Sequence, residues 1–415
     1  MWKIALKQIR KNFKSNVWIF VELFIVSILL WYCVDFLYVI IRKNSEPIGV
    51  DTEQVYRVKL GFNPLVEINR KDLDSVEIQW INPFLQIVRL IQEYPDVEAV
   101  TYYSGSEPYS QGTMFQGYTA DEENAYRALI RYVSEDYDKV FRVNMHEGGF
   151  KDWQIKTSPQ SAIISQELSD SLFHSQSSIG KQFRDYYTPE LKFKVTGVSG
   201  SMKNDTYRRY EPFIYTPFHM RFFSYSLPTI AMRVRPEAAI PGFEAKFTEA
   251  MKTKLNIGPF YLFSVISYDL RADAYDKVTG ISKYVSIITS VLAFFLFIVF
   301  LGILGTFWFQ MESRRSEIGL RMALGSSRKG VLRYIFSESM IMYAMAFLPA
   351  FIVCIKLVRF DITYTFNDGM DYTWTRFWIT QLFSVVIMIG IISLGVLLPA
   401  RRASKMHPVE ALRDE

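Results

Sequence analysis

Four stretches of this chain are almost continuously hydrophobic, and the pattern changes sharply outside them. They run from Val17 to Ile41, roughly Tyr284 to Phe309, roughly Tyr334 to Val358 and roughly Phe377 to Leu398. A helix needs about 20 consecutive apolar residues to cross about 30 Å of hydrocarbon, so each stretch is read as a membrane span. The first is too long for the core of a signal peptide, and no small-residue cleavage site follows it. Between the first and second spans the period shortens. An alternating run, Val55 to Leu60, precedes a helical stretch, Pro83 to Glu93, and the strand-like "DVEAVTYYS"; the order returns later in "PTIAMRVRP", "GFEAKFTEAMKTKL" and "PFYLFSVIS". Two strand–helix–strand units predict an α/β subdomain whose halves lie on either side of an insertion. The Tyr-rich, acidic stretch from about Tyr102 to Tyr137 is assigned to that insertion.

The expected fold class is therefore an α-helical membrane protein with four transmembrane helices and a large extracytoplasmic α/β (α+β) domain inserted between helices 1 and 2. Its expected divisions are an amphipathic N-terminal helix at 1–16, spans at 17–41, 284–310, 334–358 and 376–398, and an outer domain of two subdomains at 42–283. An inner loop at 311–333, a short outer loop at 359–375 and an inner tail at 399–415 complete the chain. The N-terminal helix is proposed because Ile4, Ile9 and Phe13 recur among lysines, as on a helix lying along the inner leaflet; an unstructured basic leader is the alternative.

Charge fixes the orientation. Lys3, Lys7, Arg10, Lys11 and Lys14 precede the first span, Arg314, Arg315, Arg321, Arg328, Lys329 and Arg333 lie between the second and third, and Arg401, Arg402, Lys405 and Arg413 follow the fourth. Between the third and fourth spans only Arg359 and Arg376 are basic. Basic loops stay inside, so both termini are placed in the cytoplasm of a multi-pass inner-membrane protein. Arg42 and Lys43 fall on the wrong side, which a large translocated domain tolerates. The net charge of +5 is thus accounted for by surfaces facing anionic lipid, and no nucleic-acid partner is called for. Cys33 and Cys354 both fall inside spans, so no disulfide framework is expected to hold the outer domain.

Little in the chain suggests catalysis. Gly325 and Gly330 have the glycine spacing of a P-loop, but Val331 and Leu332 follow where Lys and Ser or Thr would be needed to hold phosphate and Mg. His146, His174, His219 and His407 are scattered without metal-ligand spacing. Three acids inside spans, Glu22, Asp35 and Glu338, matter more, because an intramembrane carboxylate is costly unless it is paired or near an interface. Glu22 and Asp35 are on roughly opposite faces of one helix and cannot form a single ion site in one copy.

The inner loop "ESRRSEIGLRMALGSSRKG" reads as a short helix, a sharp turn and a second helix. Arg314, Glu317 and Arg321 share a face at i, i+3 and i+7, Gly325 suits the left-handed C-cap, and Ser326 or Ser327 the next N-cap. In the outer segment, Ala162 to Ile164 is a strand leading through Ser165, a plausible N-cap, into a helix with Leu168, Leu172 and Phe173 on one face. Ile179 and Gly180 turn the chain before the strand "FKVTGV".

The succession of that helix, "LF", "IGK", "VTGV" and "PFIYTPF" closely resembles the periplasmic domain of MacB-like ABC transporter permeases. "ESRRSEIGLRMALGSS" resembles the coupling region of the MacB/FtsX family, and "LPARRASKMHPVEALRDE" its C-terminal signature, here Pro399, Arg401, Arg402 and Pro408. The resemblance covers essentially the whole chain. It implies a non-catalytic permease paired with a second copy or a paralogue. ATPase subunits would dock on Glu312, Arg314, Arg315, Glu317, Ile318, Gly319, Arg321, Leu324 and Gly325. It implies no cofactor bound by this chain, since ATP and Mg would sit in the partner ATPase. Output would be export of an amphiphilic or peptide-like substrate, with a periplasmic adaptor and an outer-membrane channel as further partners in that case. Alternatives are FtsX-like signalling to an extracytoplasmic partner, and an outer receptor with no ATPase.

Overall fold

The computed structural model describes residues 13–63, 77–110, 112–121, 124–150, 153, 159–174, 177–219, 227–313, 318, 320, 324, 326–360, 370 and 372–404. Residues 1–12 of the expected N-terminal helix, Pro408 and most of the short outer loop lie outside the described residues. The helices are α1 (Phe13–Ser45), α2 (Asn82–Gln92), α3 (Tyr137–Phe141), α4 (Gln166–Phe173), α5 (Phe243–Met251), α6 (Tyr268–Val278), α7 (Ile281–Ser313), α8 (Arg328–Arg359) and α9 (Trp374–Ser404). The chain divides into two compact units, Asn44–Gly280 and the remainder, Met1–Lys43 with Ile281–Glu415.

α1, α7, α8 and α9 each contain a segment long and apolar enough to cross a membrane. They overrun the hydrophobic stretches: α1 continues past Ile41 to Ser45, and α9 past Leu398 to Ser404. The apolar limit marks where hydrocarbon meets water, whereas a helix continues for as long as its i to i−4 hydrogen bonds are met. Ile19, Leu23, Val26 and Leu30 of α1 recur at helical spacing and pack with Val299 and Ile303 of α7, Ile335, Met342 and Ala346 of α8, and Ile392 and Val396 of α9. α7 and α9 approach closely at Gly395, where an added Cβ would lie 2.8 Å from Ile303 Cγ2. On α7, Tyr284, Ile287, Val291, Phe294, Ile298 and Leu301 remain exposed. Their three–four spacing is that of an unfilled coiled-coil seam.

The outer unit is built on β1 (Val55–Phe62), β2 (Val97–Gly105), β3 (Phe115–Thr119), β4 (Tyr126–Val133), β5 (Met145–Gly148), β6 (Gln160–Ser165), β7 (Gln182–Asp185), β8 (Lys192–Ser199), β9 (Phe213–Pro217), β10 (Thr229–Val234) and β11 (Phe260–Ser267). The two strand–helix–strand units seen in the sequence share one antiparallel segment, ordered β11-β1-β10-β2. Tyr56, Val58 and Leu60 alternate onto the face covered by Phe84, Ile87 and Ile91 of α2 and Phe243, Phe247 and Met251 of α5. Here the strand period of two meets the helix period of 3.6. The other face, through Val55, Ala99, Tyr103 and Ala231, packs on Tyr137 and Phe141 of α3.

β4 joins this segment to the inserted strands. It pairs with β2 and β3 along one edge and with β9, in parallel, along the other. Through β3-β7-β8-β6-β9 the pairing returns to β4, so these six strands close a ring, with β5 added to β8. Closure removes the free edges that an open sheet would expose. α4 fits as read from the sequence: Ser165 Oγ accepts the Leu168 N–H at 3.4 Å, and Leu168, Leu172 and Phe173 are buried. Gly180 takes a φ of +79° and turns the chain into β7, a short strand missed in the sequence on the way to β8.

Candidate functional site

The inner loop is the first candidate. α7 continues unbroken to Ser313, carrying Glu312, which is exposed. Ile318 is buried in the same cluster as Val331 and Ile335 of α8, whereas Leu320 and Leu324 are exposed and linked by a hydrogen bond from Leu324 N–H to Leu320 C=O of 3.0 Å. Ser327 is the N-cap of α8, its Oγ accepting the Gly330 N–H at 3.2 Å. The loop is thus pinned at Ile318 and at Ser327 and presents two leucines between them. Arg314, Arg315, Glu317, Gly319, Arg321 and Gly325 lie outside the described residues, and with them the expected Arg314–Glu317–Arg321 face and the Gly325 cap. Pro399, Arg401 and Arg402 lie on the last part of α9.

The three acids within spans have different surroundings. Asp35 is buried on α1 and receives both ends of the Arg376 guanidinium, with Nε 2.9 Å from Oδ1 and Nη2 2.5 Å from Oδ2. Arg376 also stacks over Tyr372 at 4.8 Å, and the neighbouring Trp31 indole donates to Thr380 Oγ1 at 3.2 Å. A planar fork on a carboxylate is the strong, geometrically specific form of ion pair. The sequence places Arg376 beside the outer loop as a topology marker and misses this partnership; the residue sits in the first turn of α9 instead, where the loop hydroxyl of Thr373 accepts its backbone N–H at 3.2 Å. Glu22 lies along a groove of about 340 Å³ between α1 and α7, lined also by Trp18, Ile25, Ile298 and Gly302. Its carboxylate fills the space left by the missing side chain of Gly302, where a Cβ would be 2.2 Å from Oε1. Glu338 is buried in α8. Asp35 and Glu22 therefore do not share a site.

A third cluster lies in the outer unit, at α6, immediately before Gly280 and α7. Ser267 caps α6. Tyr268, Arg271 and Tyr275, at i, i+3 and i+7, form one face. The Tyr268 hydroxyl bonds the Tyr103 hydroxyl. Arg271 Nη2 is 2.7 Å from Glu107 Oε2, and its Nε donates to the Pro108 carbonyl at 3.2 Å. The Tyr275 hydroxyl donates to Asp205 Oδ2 at 2.9 Å. Glu107 further accepts from the Tyr103 hydroxyl at 3.2 Å and holds Arg57 Nε at 2.7 Å. Burial, reinforced by Glu107, raises the pKa of Tyr103 and Tyr268 well above the usual phenol value, so both remain neutral donors. No helix is assigned here from the sequence, and the partners, Tyr103 on β2 and Glu107, Pro108 and Asp205 in loops, lie far away in the chain and leave no local signal.

Of the histidines, His174 takes the left-handed position that ends α4, and His146 lies 3.4 Å from Gln166 Oε1. Cys33 lies on α1 and Cys354, buried, on α8.

Comparison with known proteins places these features in context. The chain matches a MacB-like periplasmic core domain over residues 43–250 and an FtsX-like permease C-terminal domain over residues 289–408. It is 23% identical to the macrolide export ATP-binding/permease protein MacB of Vibrio parahaemolyticus over 299 residues, which are 69% of this chain and 42% of that protein. It is 24% identical over 296 residues to the uncharacterized ABC transporter permease YknZ of Bacillus subtilis, covering 69% of this chain and 70% of that one. The periplasmic region of MacB from Actinobacillus actinomycetemcomitans aligns with 56% of this chain and 98% of its own length, at 15% identity and a TM-score of 0.35. The chain spans about two fifths of the length of the MacB relatives it matches.

Proposed function

Because the chain belongs to the MacB/FtsX-like permease family, we propose that it is the permease subunit of an ABC system in which a separate ATPase moves the outer domain, exporting an amphiphilic or peptide-like substrate. It is a multi-pass membrane protein with its α/β domain inserted between the first two spans. In this reading both termini and the 311–333 loop face the cytoplasm, as the basic residues favour. On the same reading ATP and Mg belong to the partner; the relatives named ATP-binding/permease proteins join both parts in one protein, and this chain aligns with about two fifths of their length. Adaptor and outer-membrane channel would follow only from export.

The observation that carries the proposal is the exposure of Leu320 and Leu324 between two anchored points. Two leucines held out to water on a charged loop suit a shallow apolar groove on a soluble partner. The three–four seam on α7 suits a second copy or paralogue, because membrane helices associate through packing of such surfaces.

A second reading is signalling, in which the same movement controls an extracytoplasmic partner. It is favoured by the packed membrane core, where Ile, Leu, Met and Val from all four helices meet, leaving motion rather than passage as the output of one copy. The test is Leu324→Asp combined with Leu320→Asp in the tagged full-length chain, purified from its native membrane. The expected result is normal insertion with loss of the co-purifying ATPase; undiminished recovery of that ATPase would overturn the docking claim. Charge reversal at Glu317 or Arg321 is expected to uncouple ATP hydrolysis from output in the same way.

A further inference from the structure

α6 is held by polar contacts more than by apolar burial. Leu270 and Val278 are exposed, and only Tyr268 and Tyr275 are buried on it. Its last turn is fastened by the hydrogen bond from Tyr275 to Asp205, at the 205–208 turn, and by the Tyr275 ring 6.4 Å from Tyr109. Beside this fastening, Asp276 has Oδ1 buried with no hydrogen-bond partner. Thr279 and Gly280, the latter with φ +79°, then lead directly into α7.

The charges around Asp276 are largely of its own sign. Asp205 faces it from the 205–208 turn, and Asp273 from its own helix. Asp205 is already engaged by Arg208 Nε at 3.0 Å, by the Tyr275 hydroxyl and by two backbone N–H groups, so Arg208 answers Asp205 rather than Asp276. Tyr109 and Tyr207 complete the wall, and both feel the negative charge of Asp276. Arg271, earlier on the helix, is paired to Glu107. A buried carboxylate oxygen without a donor is stabilised when it carries a proton and destabilised when it carries charge.

We propose that α6 is a proton-regulated clasp, whose last turn docks firmly on the 205–208 turn when Asp276 is protonated and loosens when Asp276 ionises, so that acidity outside the membrane sets how firmly α6 is held within the outer domain. The proposal does not depend on what the protein exports or signals.

Burial, with the like charges of Asp205 and Asp273, pushes the Asp276 carboxyl from 3.8 up to about 6. A raised carboxylate pKa makes the docked state bind the proton more tightly than the undocked one. Docking is therefore strongest in acid and weakens as pH rises from about 4 through about 6. From these two values the docking equilibrium should change about tenfold between pH 5 and pH 7.5.

The test is hydrogen exchange of the segment Tyr268 to Gly280 in the full-length chain in nanodiscs, corrected for the intrinsic pH dependence of exchange. The wild type should show about tenfold greater protection at pH 5 than at pH 7.5. Asp276→Asn should abolish that difference and hold protection near the acid level at both pH values. Equal protection of the wild type at the two pH values, or a difference that persists in Asp276→Asn, overturns the proposal. Asp273→Asn, at an exposed position, removes one repelling charge without touching the clasp; it should lower the pH midpoint, and an unmoved midpoint also counts against Asp276 as the responding group.

Discussion

Removing one partner of the Asp35–Arg376 pair should damage the membrane unit far more than removing both. The side chains are only 3% and 1% exposed, and the guanidinium meets the carboxylate through two parallel contacts. Arg376→Met strands Asp35 beside Trp31 and Phe377, with Thr380 the remaining donor in reach. An uncompensated buried charge costs about 3–5 kcal/mol. Asp35→Leu should cost less, about 2–3 kcal/mol, because Arg376 keeps the Met370 carbonyl at 3.5 Å and the Tyr372 ring, and from the first turn of α9 can extend its head toward water. The double variant exchanges a desolvated ion pair for apolar packing and should fall within about 1 kcal/mol of the wild type. A double-mutant cycle then gives a coupling of at least about 4 kcal/mol. The assay is SDS-driven unfolding in mixed micelles, read by a distance label between α1 and α9. Additive single losses, or an Arg376→Met variant within about 0.5 kcal/mol of the wild type, would refute the claim that this pair fastens α1 to α9.

Two further outcomes test the packing. Gly302→Ala should be tolerated, since the Oε1 that its Cβ displaces is the flexible end of Glu22 and can swing along the groove, while Gly302→Leu should fill the groove itself and lower thermal stability in detergent measurably below the alanine variant. Ser165→Ala removes the acceptor for both Leu168 N–H and Phe213 N–H; losing one cap costs about 1 kcal/mol, so with two buried donors left unmet the outer domain should lose about 2 kcal/mol in a calorimetric unfolding scan.

What could be read from the sequence was whatever is periodic and local. The four spans follow from run length alone, α4 from Ser165 and its apolar face, and the start of α8 from a serine before a helical run, with the structure choosing Ser327 over Ser326. What could not be read was long-range pairing of polar groups, because one-dimensional patterns assign each charge to water. Arg233 shows the mechanism. Alternation in "PTIAMRVRP" puts Met232 and Val234 inside and Arg233 on the opposite face, which a two-layer reading would leave solvated. That face is instead covered by α3, and Arg233 is buried, donating to the carbonyls of Val140, Glu53 and Asp51 and pairing with the Asp51 carboxylate at 3.1 Å. Arg131 is buried likewise, its Nε on the Ser106 carbonyl and its Nη1 on the Tyr137 hydroxyl. Such groups are satisfied only if several loops arrive at once, so they constrain the fold cooperatively. The same holds at α6, where Tyr103 near the end of β2, Glu107 just after it and Asp205 from the 205–208 turn converge on one short helix ahead of α7. Apolar packing would tolerate small slips there, whereas directed hydrogen bonds either form or fail.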